Sequence, residues 1–108
     1  MFKLNASNFD NAMNEVAMGW KLVQFQAPGC PRCRQNLTYL STHKEDFHQP
    51  VTLCTVEGDN QLLERFNVTT APTLLLYSPS GKHEATTCVT GPDLVKACNL
   101  LMDGGAQQ

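Results

Sequence analysis

The pattern of apolar and polar residues predicts five β-strands along the chain. Three short apolar runs lie at Phe2–Leu4, Trp20–Phe25 and Val51–Val56, and a fourth ends at Tyr77. Val51–Val56 is apolar or β-branched throughout, which suits a central parallel strand that is covered on both faces. A fifth run, Lys82–Val89, is rich in polar residues and is predicted to form an edge of the sheet.

Four helices are predicted around these strands, because apolar residues recur there at helical spacing. The first has Ser7 and Asp10 as a capping pair and ends at Gly19. The second begins near Cys30 and ends at Pro50. The apolar positions are Phe9, Ala12, Met13, Val16 and Ala17 in the first helix, and Leu37, Leu40 and Phe47 in the second.

The two remaining helices follow the third and fifth strands. One is short, is capped by Asp59 and stops at Asn67. The other begins near Thr90, and its apolar residues form a single stripe. The members of this stripe are Leu94, Val95, Cys98, Leu101 and Met102.

The order of these elements predicts how the strands are connected. Two successive strand–helix–strand units require parallel strands joined by right-handed connections. The turn at Ser78–Gly81 adds an antiparallel hairpin. We therefore expect an α/β fold, with a mixed sheet that carries helices on both faces. At 108 residues, the chain is expected to form one domain over residues 1–108.

Two cysteines lie where the second strand gives way to the second helix. Pro31 suits the first turn of a helix, so Cys30 is placed at the helix N-terminus. The partial positive charge and free N–H groups of a helix end stabilise a thiolate, and Arg32 adds a full positive charge. Cys33 lies one turn further in and is more shielded. The pair therefore divides into an attacking and a resolving thiol, which indicates dithiol redox chemistry.

The alternatives for this motif are a zinc site and a purely structural disulfide. A zinc site needs a second pair of ligands, whereas Cys54, Cys88 and Cys98 are scattered singly. We therefore expect no metal. All three single cysteines are expected to be buried and to pack as small hydrophobic residues. For Cys88 a regulatory thiol is the alternative, because an edge strand can expose it.

Composition narrows the range of partners and compartments. The chain has 8 Lys and Arg against 10 Asp and Glu, without a basic cluster, so no direct binding to nucleic acid is expected. No apolar run approaches the ~20 residues that span a bilayer. The first residues lack the apolar stretch of a secretory signal. A reducing cytoplasmic location is therefore expected, and the odd count of 5 cysteines agrees with it.

A second informative stretch is Ala71-Pro72-Thr73, directly before the fourth strand. Proline cannot donate a hydrogen bond to a β-ladder, so its place before so apolar a strand is unusual. A turn proline is the commoner explanation for such a residue.

Together, the order of elements, Cys30-Pro31-Arg32-Cys33 and Ala71-Pro72-Thr73 resemble the thioredoxin family over nearly the whole chain. Gly81 and Gly91 also stand where that family has glycines. The resemblance implies a thioredoxin fold with a mixed five-stranded sheet in the order 1-3-2-4-5.

The resemblance also implies roles for the site residues. Cys30 would be the nucleophile, Cys33 the resolving thiol and Pro72 a cis-proline beside them. An extended substrate peptide would then pair with the exposed backbone of Ala71, and Thr73 completes this substrate-binding segment.

The chain departs from the thioredoxin pattern around the two cysteines. Gly29 replaces the tryptophan that shields the nucleophile, Gln24 replaces a buried aspartate, and Leu53 replaces the lysine that accompanies this aspartate. The dipeptide Pro31-Arg32 instead resembles those of glutaredoxins and periplasmic thiol oxidases. We predict that Gln24 lies under Cys33, neutral and hydrogen-bonded. We also predict that Arg32 makes the disulfide easier to reduce than that of thioredoxin.

These observations favour a thiol-disulfide oxidoreductase that reduces protein disulfides through a redox-active Cys30–Cys33 disulfide, without a bound cofactor. Its electrons would come from a thioredoxin reductase or from glutathione, and a monomer is expected. A glutaredoxin-like or isomerase-like dithiol enzyme is the alternative within redox chemistry. An alternative from another class is a non-catalytic scaffold that binds a partner protein.

Overall fold

Five strands form one mixed sheet in residues 1–104, the part of the chain that the computed structural model describes. They are β1 (Phe2–Leu4), β2 (Trp20–Gln26), β3 (Val51–Glu57), β4 (Thr73–Tyr77) and β5 (His83–Thr87). The order across the sheet is β1-β3-β2-β4-β5. β3 is parallel to both of its neighbours, whereas β4 is antiparallel to β2 and β5. The predicted order and strand directions are confirmed.

Helices cover both faces of this sheet, as predicted. In the described residues they are α1 (Phe9–Met13), α2 (Pro31–Thr42), α3 (Asn60–Arg65) and α4 (Gly91–Met102), with single 3-10 turns at Val16–Met18 and Lys44–Asp46. α1 and α3 pack on one face together with Val23, Phe25 and Leu75. α2 and α4 pack on the other face, on Leu22 and Leu74. Successive residues of β2 therefore enter different halves of the core.

The predicted first helix is shorter than its apolar spacing indicates. Ser7 does not cap it, because the Asn5 side chain accepts the backbone N–H groups of Ser7 at 2.9 Å and of Asn8 at 3.2 Å. The helix stops after Met13, and Glu15 caps the next turn by accepting the N–H of Ala17 at 3.1 Å. Val16 is consequently 67% exposed rather than part of the core. Both the capping pair and the inward face for Val16 and Ala17 were wrong.

Two further boundaries differ from the prediction. α2 ends at Thr42, eight residues before Pro50, because His43 leaves helical geometry and stacks its ring on Tyr39 at 3.9 Å. Phe47 is still buried, but it is reached through the 3-10 turn. β5 stops at Thr87, so Cys88 and Val89 lie in the loop before α4. By contrast, Asp59 caps α3 as predicted, with its carboxylate accepting the N–H of Leu62 at 3.0 Å.

Lys21 is a charged residue, the second of the apolar strand β2, and it is fully buried. Its Nζ donates to three backbone carbonyls, at 2.8 Å to Met13, 3.1 Å to Pro79 and 3.4 Å to Ser78. Burial lowers the pKa of Lys21, and the nearby Cys54 and Glu15 oppose this shift. One side chain thus joins the end of α1 to the turn between β4 and β5.

Replacing this lysine should destabilise the fold. Lys21→Met keeps most of the side-chain volume but leaves the three carbonyls without their donor, which typically costs about 1 to 3 kcal/mol for a buried group. Urea unfolding measures the loss, and Lys82→Met serves as the control because Lys82 is 76% exposed. Equal stability of Lys21→Met and the wild type would contradict this account and would indicate that burial of the charge cancels its hydrogen bonds.

Candidate active site

The two cysteines of the motif meet at the start of α2. Cys30 occupies the N-cap position, and its Sγ accepts the backbone N–H of Cys33 at 3.2 Å. Their Cα atoms are 5.3 Å apart and their sulfurs form a disulfide. Cys33 is only 2% exposed, whereas Cys30 is half-buried. The expected difference in shielding between the two sulfurs is therefore present.

Gly29 and Arg32 flank the outer sulfur. Gly29 has a φ of +68°, in the left-handed region that side chains rarely adopt, and a Cβ atom there would meet no atom within 4 Å. Nothing from this position covers Cys30. Arg32 is exposed and forms no ion pair within residues 1–104. It borders a small cavity of about 130 Å³ together with Tyr39 and Gly91.

Gln24 lies beneath the disulfide, as predicted. It is 1% exposed, and its Nε2 donates to the carbonyl of Cys33 at 3.1 Å and to Oε1 of Gln26 at 3.2 Å. Its Oε1 accepts the Nδ2 of Asn36 at 2.9 Å. The amide is thus held on both ends, and a neutral group is hydrogen-bonded to the backbone of the resolving cysteine.

Asn36 is a site residue that the sequence reasoning missed. It is 3% exposed, lies on the same face of α2 as Cys33 and Leu40, and also accepts the backbone N–H of Gly91 at 2.9 Å through Oδ1. A polar residue among the inward positions of a helix was the available signal. Asn36 ties the first residue of α4 to the amide that holds Cys33.

No cation accompanies Gln24 from the position where the resemblance places a lysine. Leu53 pairs with Leu22 across the sheet and is buried in the α2–α4 half of the core.

Within the described residues, no group of three or more His, Cys, Asp or Glu side chains is arranged to hold a metal ion. Likewise, none of the helices in residues 1–104 is both long and apolar enough to cross a membrane.

The Ala71-Pro72 peptide bond is cis, as predicted. Pro72 and Thr73 are buried, while Ala71 is half-buried. The Thr73 hydroxyl donates to the carbonyl of Thr70 at 2.7 Å and shapes the loop around the proline. Among the described residues, no turn or loop hydrogen bond satisfies the backbone of Ala71.

Cys88 contradicts the expectation that all three single cysteines are buried. It is exposed, because β5 ends one residue before it, and its Sγ lies 3.6 Å from the hydroxyls of both Thr70 and Thr73. These hydrogen bonds lower the pKa of Cys88, and the charge of Arg32 adds to the shift.

The other two single cysteines behave as expected. Cys54 and Cys98 are buried, and burial raises the pKa of Cys54 to about 11 and that of Cys98 to about 12.

Comparison of this sequence with known proteins identifies its family. The family model for thioredoxin matches residues 1–98. The chain belongs to the thioredoxin family. A curated relative, glutaredoxin 3 of Danio rerio, is 26% identical over 98 residues, which are 90% of this chain and 30% of the relative. The chain thus spans about a third of the length of this curated relative.

Solved structures agree with the family assignment. Fasciola hepatica thioredoxin is 18% identical with a TM-score of 0.77, covering 94% of this chain and 98% of that one. The first two thioredoxin domains of Naumovozyma dairenensis Eps1p are 26% identical with a TM-score of 0.65, and the match covers 91% of this chain and 39% of that one. The fold is that of thioredoxin. The family and the Cys30–Cys33 disulfide support thiol-disulfide oxidoreductase chemistry in general.

Cys88 should be the reactive single thiol of this thioredoxin-family protein. The oxidised protein, treated with iodoacetamide near neutral pH, should be alkylated at Cys88 at least ~10 times faster than at Cys54 or Cys98, because alkylation needs an accessible thiolate. Peptide mapping by mass spectrometry measures the three rates, and unfolded protein gives the intrinsic rates. Similar rates at all three cysteines in the folded protein would contradict the assigned environments.

Proposed function

We propose that this protein reduces disulfide bonds in other proteins through Cys30 and Cys33. The observation that carries the proposal is the position of Cys30 as the N-cap of α2, with its sulfur facing the N–H of Cys33 at 3.2 Å. A thiolate at this point gains a hydrogen bond and the positive end of the helix dipole. The half-buried sulfur is accessible to a substrate, whereas Cys33 is not.

The reaction consists of two exchange steps. The Cys30 thiolate attacks one sulfur of the substrate disulfide, the substrate S–S bond breaks, and the departing thiolate takes a proton from water. A mixed disulfide between Cys30 and the substrate results. Cys33, once deprotonated, attacks the sulfur of Cys30 and releases the second substrate thiol. The substrate gains two electrons, and the protein is left with the Cys30–Cys33 disulfide.

The substrate chain is proposed to lie along Ala71. The backbone of this residue has no hydrogen bond from a turn or loop in the described residues, so it offers a donor and an acceptor to an extended peptide. Pro72 and Thr73 hold the loop in position behind it.

Within residues 1–104, no carboxylate forms a hydrogen bond with Cys33 that could take its proton in the second step. The buried group beneath this residue is the Gln24 amide, which donates to the Cys33 carbonyl and cannot act as a base near neutral pH. Deprotonation of Cys33 is therefore proposed to proceed to water or to the departing substrate thiolate.

We further propose a cytoplasmic monomer that binds no cofactor and takes its electrons from a thioredoxin reductase or from glutathione. Three single cysteines beside the Cys30–Cys33 pair suit a reducing compartment. The alternative is a scaffold for a partner protein, and the absence of both the shielding indole and the buried carboxylate favours it. A glutaredoxin-like or isomerase-like role would use the same two sulfurs.

Insulin reduction with dithiothreitol as the electron donor tests the catalytic role. The wild type should accelerate insulin precipitation, and Cys30→Ser should abolish the acceleration, because no mixed disulfide forms. Cys54→Ser is the control, since this buried thiol takes no part in the exchange. Equal rates for the wild type and Cys30→Ser would leave the scaffold as the function.

The reduction potential should lie above that of thioredoxin. The helix end and the exposed Arg32 stabilise the Cys30 thiolate and thus the reduced state. The reduction potential should therefore lie about 30 to 60 mV above the approximately −270 mV of thioredoxin. Equilibration with a glutathione redox buffer measures the potential of the wild type and of the double variant Pro31→Gly, Arg32→Pro. The variant should become more reducing. An unchanged or higher potential in the variant would show that the dipeptide does not control it.

Restoring a carboxylate under Cys33 should speed the second step. Gln24→Asp supplies a base, and such assistance typically contributes ~10² to 10⁴ in rate where proton transfer is limiting. Turnover near neutral pH should rise, at some cost in stability because a carboxylate is buried. Stopped-flow decay of the mixed disulfide, followed from pH 6 to 9, measures the step. Gln24→Asn is the neutral control, and a shared pH profile for both variants would contradict the prediction.

A further inference from the structure

Three side-chain amides form one continuous hydrogen-bonded chain between α2 and β2. Asn36 Nδ2 donates to Gln24 Oε1 at 2.9 Å, and Gln24 Nε2 donates to Gln26 Oε1 at 3.2 Å. At one end, the backbone N–H of Gly91 donates to Asn36 Oδ1 at 2.9 Å. At the other end, Gln26 Nε2 donates to Glu57 Oε1 at 3.2 Å. The amide chain thus joins the first residue of α4 to the last residue of β3.

The direction of this amide chain is set by its two ends. A backbone N–H can only donate a hydrogen bond, and an ionised carboxylate can only accept one. Because each amide has one oxygen that accepts and one nitrogen that donates, Asn36 must turn its oxygen to Gly91 and its nitrogen to Gln24. The same rule then turns the nitrogen of Gln24 toward Gln26. A single reversed amide would set two oxygens or two nitrogens against each other.

The direction decides which atom of Gln24 faces Cys33. Gln24 Nε2 also donates to the carbonyl of Cys33 at 3.1 Å, and this carbonyl can only accept. On the other side of the same residue, the N–H of Cys33 donates to Sγ of Cys30 at 3.2 Å. The backbone of the resolving cysteine is therefore bonded both to the amide chain and to the outer sulfur. If the Gln24 amide turned over, its oxygen would face the carbonyl oxygen of Cys33 and repel it.

Asn36 is the buried residue that holds this direction. It is 3% exposed and Gln24 is 1% exposed, so a lost hydrogen bond between them is costly. Glu57, at the far end of the amide chain, is exposed and can turn into solvent. The Asn36 end therefore controls the orientation of Gln24 more strongly than the Glu57 end does.

We propose that Asn36 is a positioning residue for the second exchange step. By donating to Gln24, it keeps an N–H on the carbonyl of Cys33 and holds Cys33 where its thiolate attacks the sulfur of Cys30. In that step the bond between these two sulfurs forms, the bond from Cys30 to the substrate sulfur breaks, and the substrate leaves as a thiolate. The inference rests on the proposed function, since it assumes that a mixed disulfide forms on Cys30.

Two variants test the role of Asn36. Asn36→Asp has nearly the same shape, and its carboxylate accepts the N–H of Gly91 but offers no donor to Gln24, so the Gln24 amide turns over. Protonation of the new carboxylate at lower pH restores a donor. Asn36→Leu removes the link without adding a charge. Both leave Gln24 itself in place, whereas Gln24→Asp gains a base and loses the donor together.

Asn99→Asp is the matched control. The Asn99 amide also bridges two backbone groups, since its Nδ2 donates to the carbonyl of Asp46 at 2.9 Å and its Oδ1 accepts the N–H of His48 at 2.8 Å. Asn99 lies on α4, about 12 Å along the helix from Gly91, and takes no part in the amide chain.

The two exchange steps are followed by stopped-flow absorbance with the chromogenic disulfide dithiobis(nitrobenzoate), which releases one coloured thiolate in each step. The pre-reduced protein supplies both electrons. Every protein carries Cys88→Ser, because Cys88 is exposed and would react with the same reagent. The rate of the first step depends on reagent concentration and that of the second does not. With Cys33→Ser only the first release should remain, which identifies the second phase.

In Asn36→Asp, the second step near neutral pH should be about tenfold slower than in the wild type, as expected for the loss of one buried hydrogen bond, and the first step should change less than about twofold. The slowing should shrink as the pH falls, because the protonated carboxyl group donates to Gln24 again. In Asn36→Leu, a similar slowing should be the same at every pH. Asn99→Asp should keep both rates.

The outcomes separate the role of Asn36 from the reaction. If the wild type releases no second thiolate, the proposed function fails and the positioning role fails with it. If the wild type shows both phases and the two Asn36 variants keep its second rate, the function stands and the positioning role is refuted. Equal slowing of both steps would refute it as well, and so would a second step that is faster in Asn36→Asp than in the wild type.

Discussion

The structure depends on the double pairing of β2. This central strand is bonded to β3 from Trp20 to Gln26 on one side and to β4 from Lys21 to Phe25 on the other. A slip by one residue would exchange every side chain between the two halves of the core. Because the strand cannot slip, the chain leaves the sheet at Gln26 and reaches Cys30, the N-cap of α2, four residues later. The place of the disulfide follows from this register.

The same register gives each face of β2 one fully buried polar side chain and a different way to satisfy it. Lys21 faces α1 and bonds only to carbonyls, so it acts within the framework. Gln24 faces α2 and bonds to Cys33 and Asn36, so it belongs to the site. Two polar residues three positions apart in one buried strand thereby serve the fold and the chemistry separately.

The chemical motif and the topology were predictable from the sequence because they are local. Strand, turn and helix around Cys30 follow from periodicity and from Pro31, and the order of strands follows from the resemblance. The residues that were missed have distant partners. Lys21 bonds to Pro79, 58 positions away, and Asn36 bonds to Gly91, 55 positions away, so no short window reveals them. Cys88 was misjudged because β5 ends one residue before it.

The conformation of Gly29 has a consequence for how this protein can change over evolution. At a φ of +68°, glycine is the residue that fits without strain, so a single substitution to tryptophan would oppose the local backbone. A side chain that covered the outer sulfur from this position would therefore cost about 1 to 2 kcal/mol of backbone strain. A descendant of this chain can acquire the shielded form of the family only at that cost in stability, which favours retention of the open form.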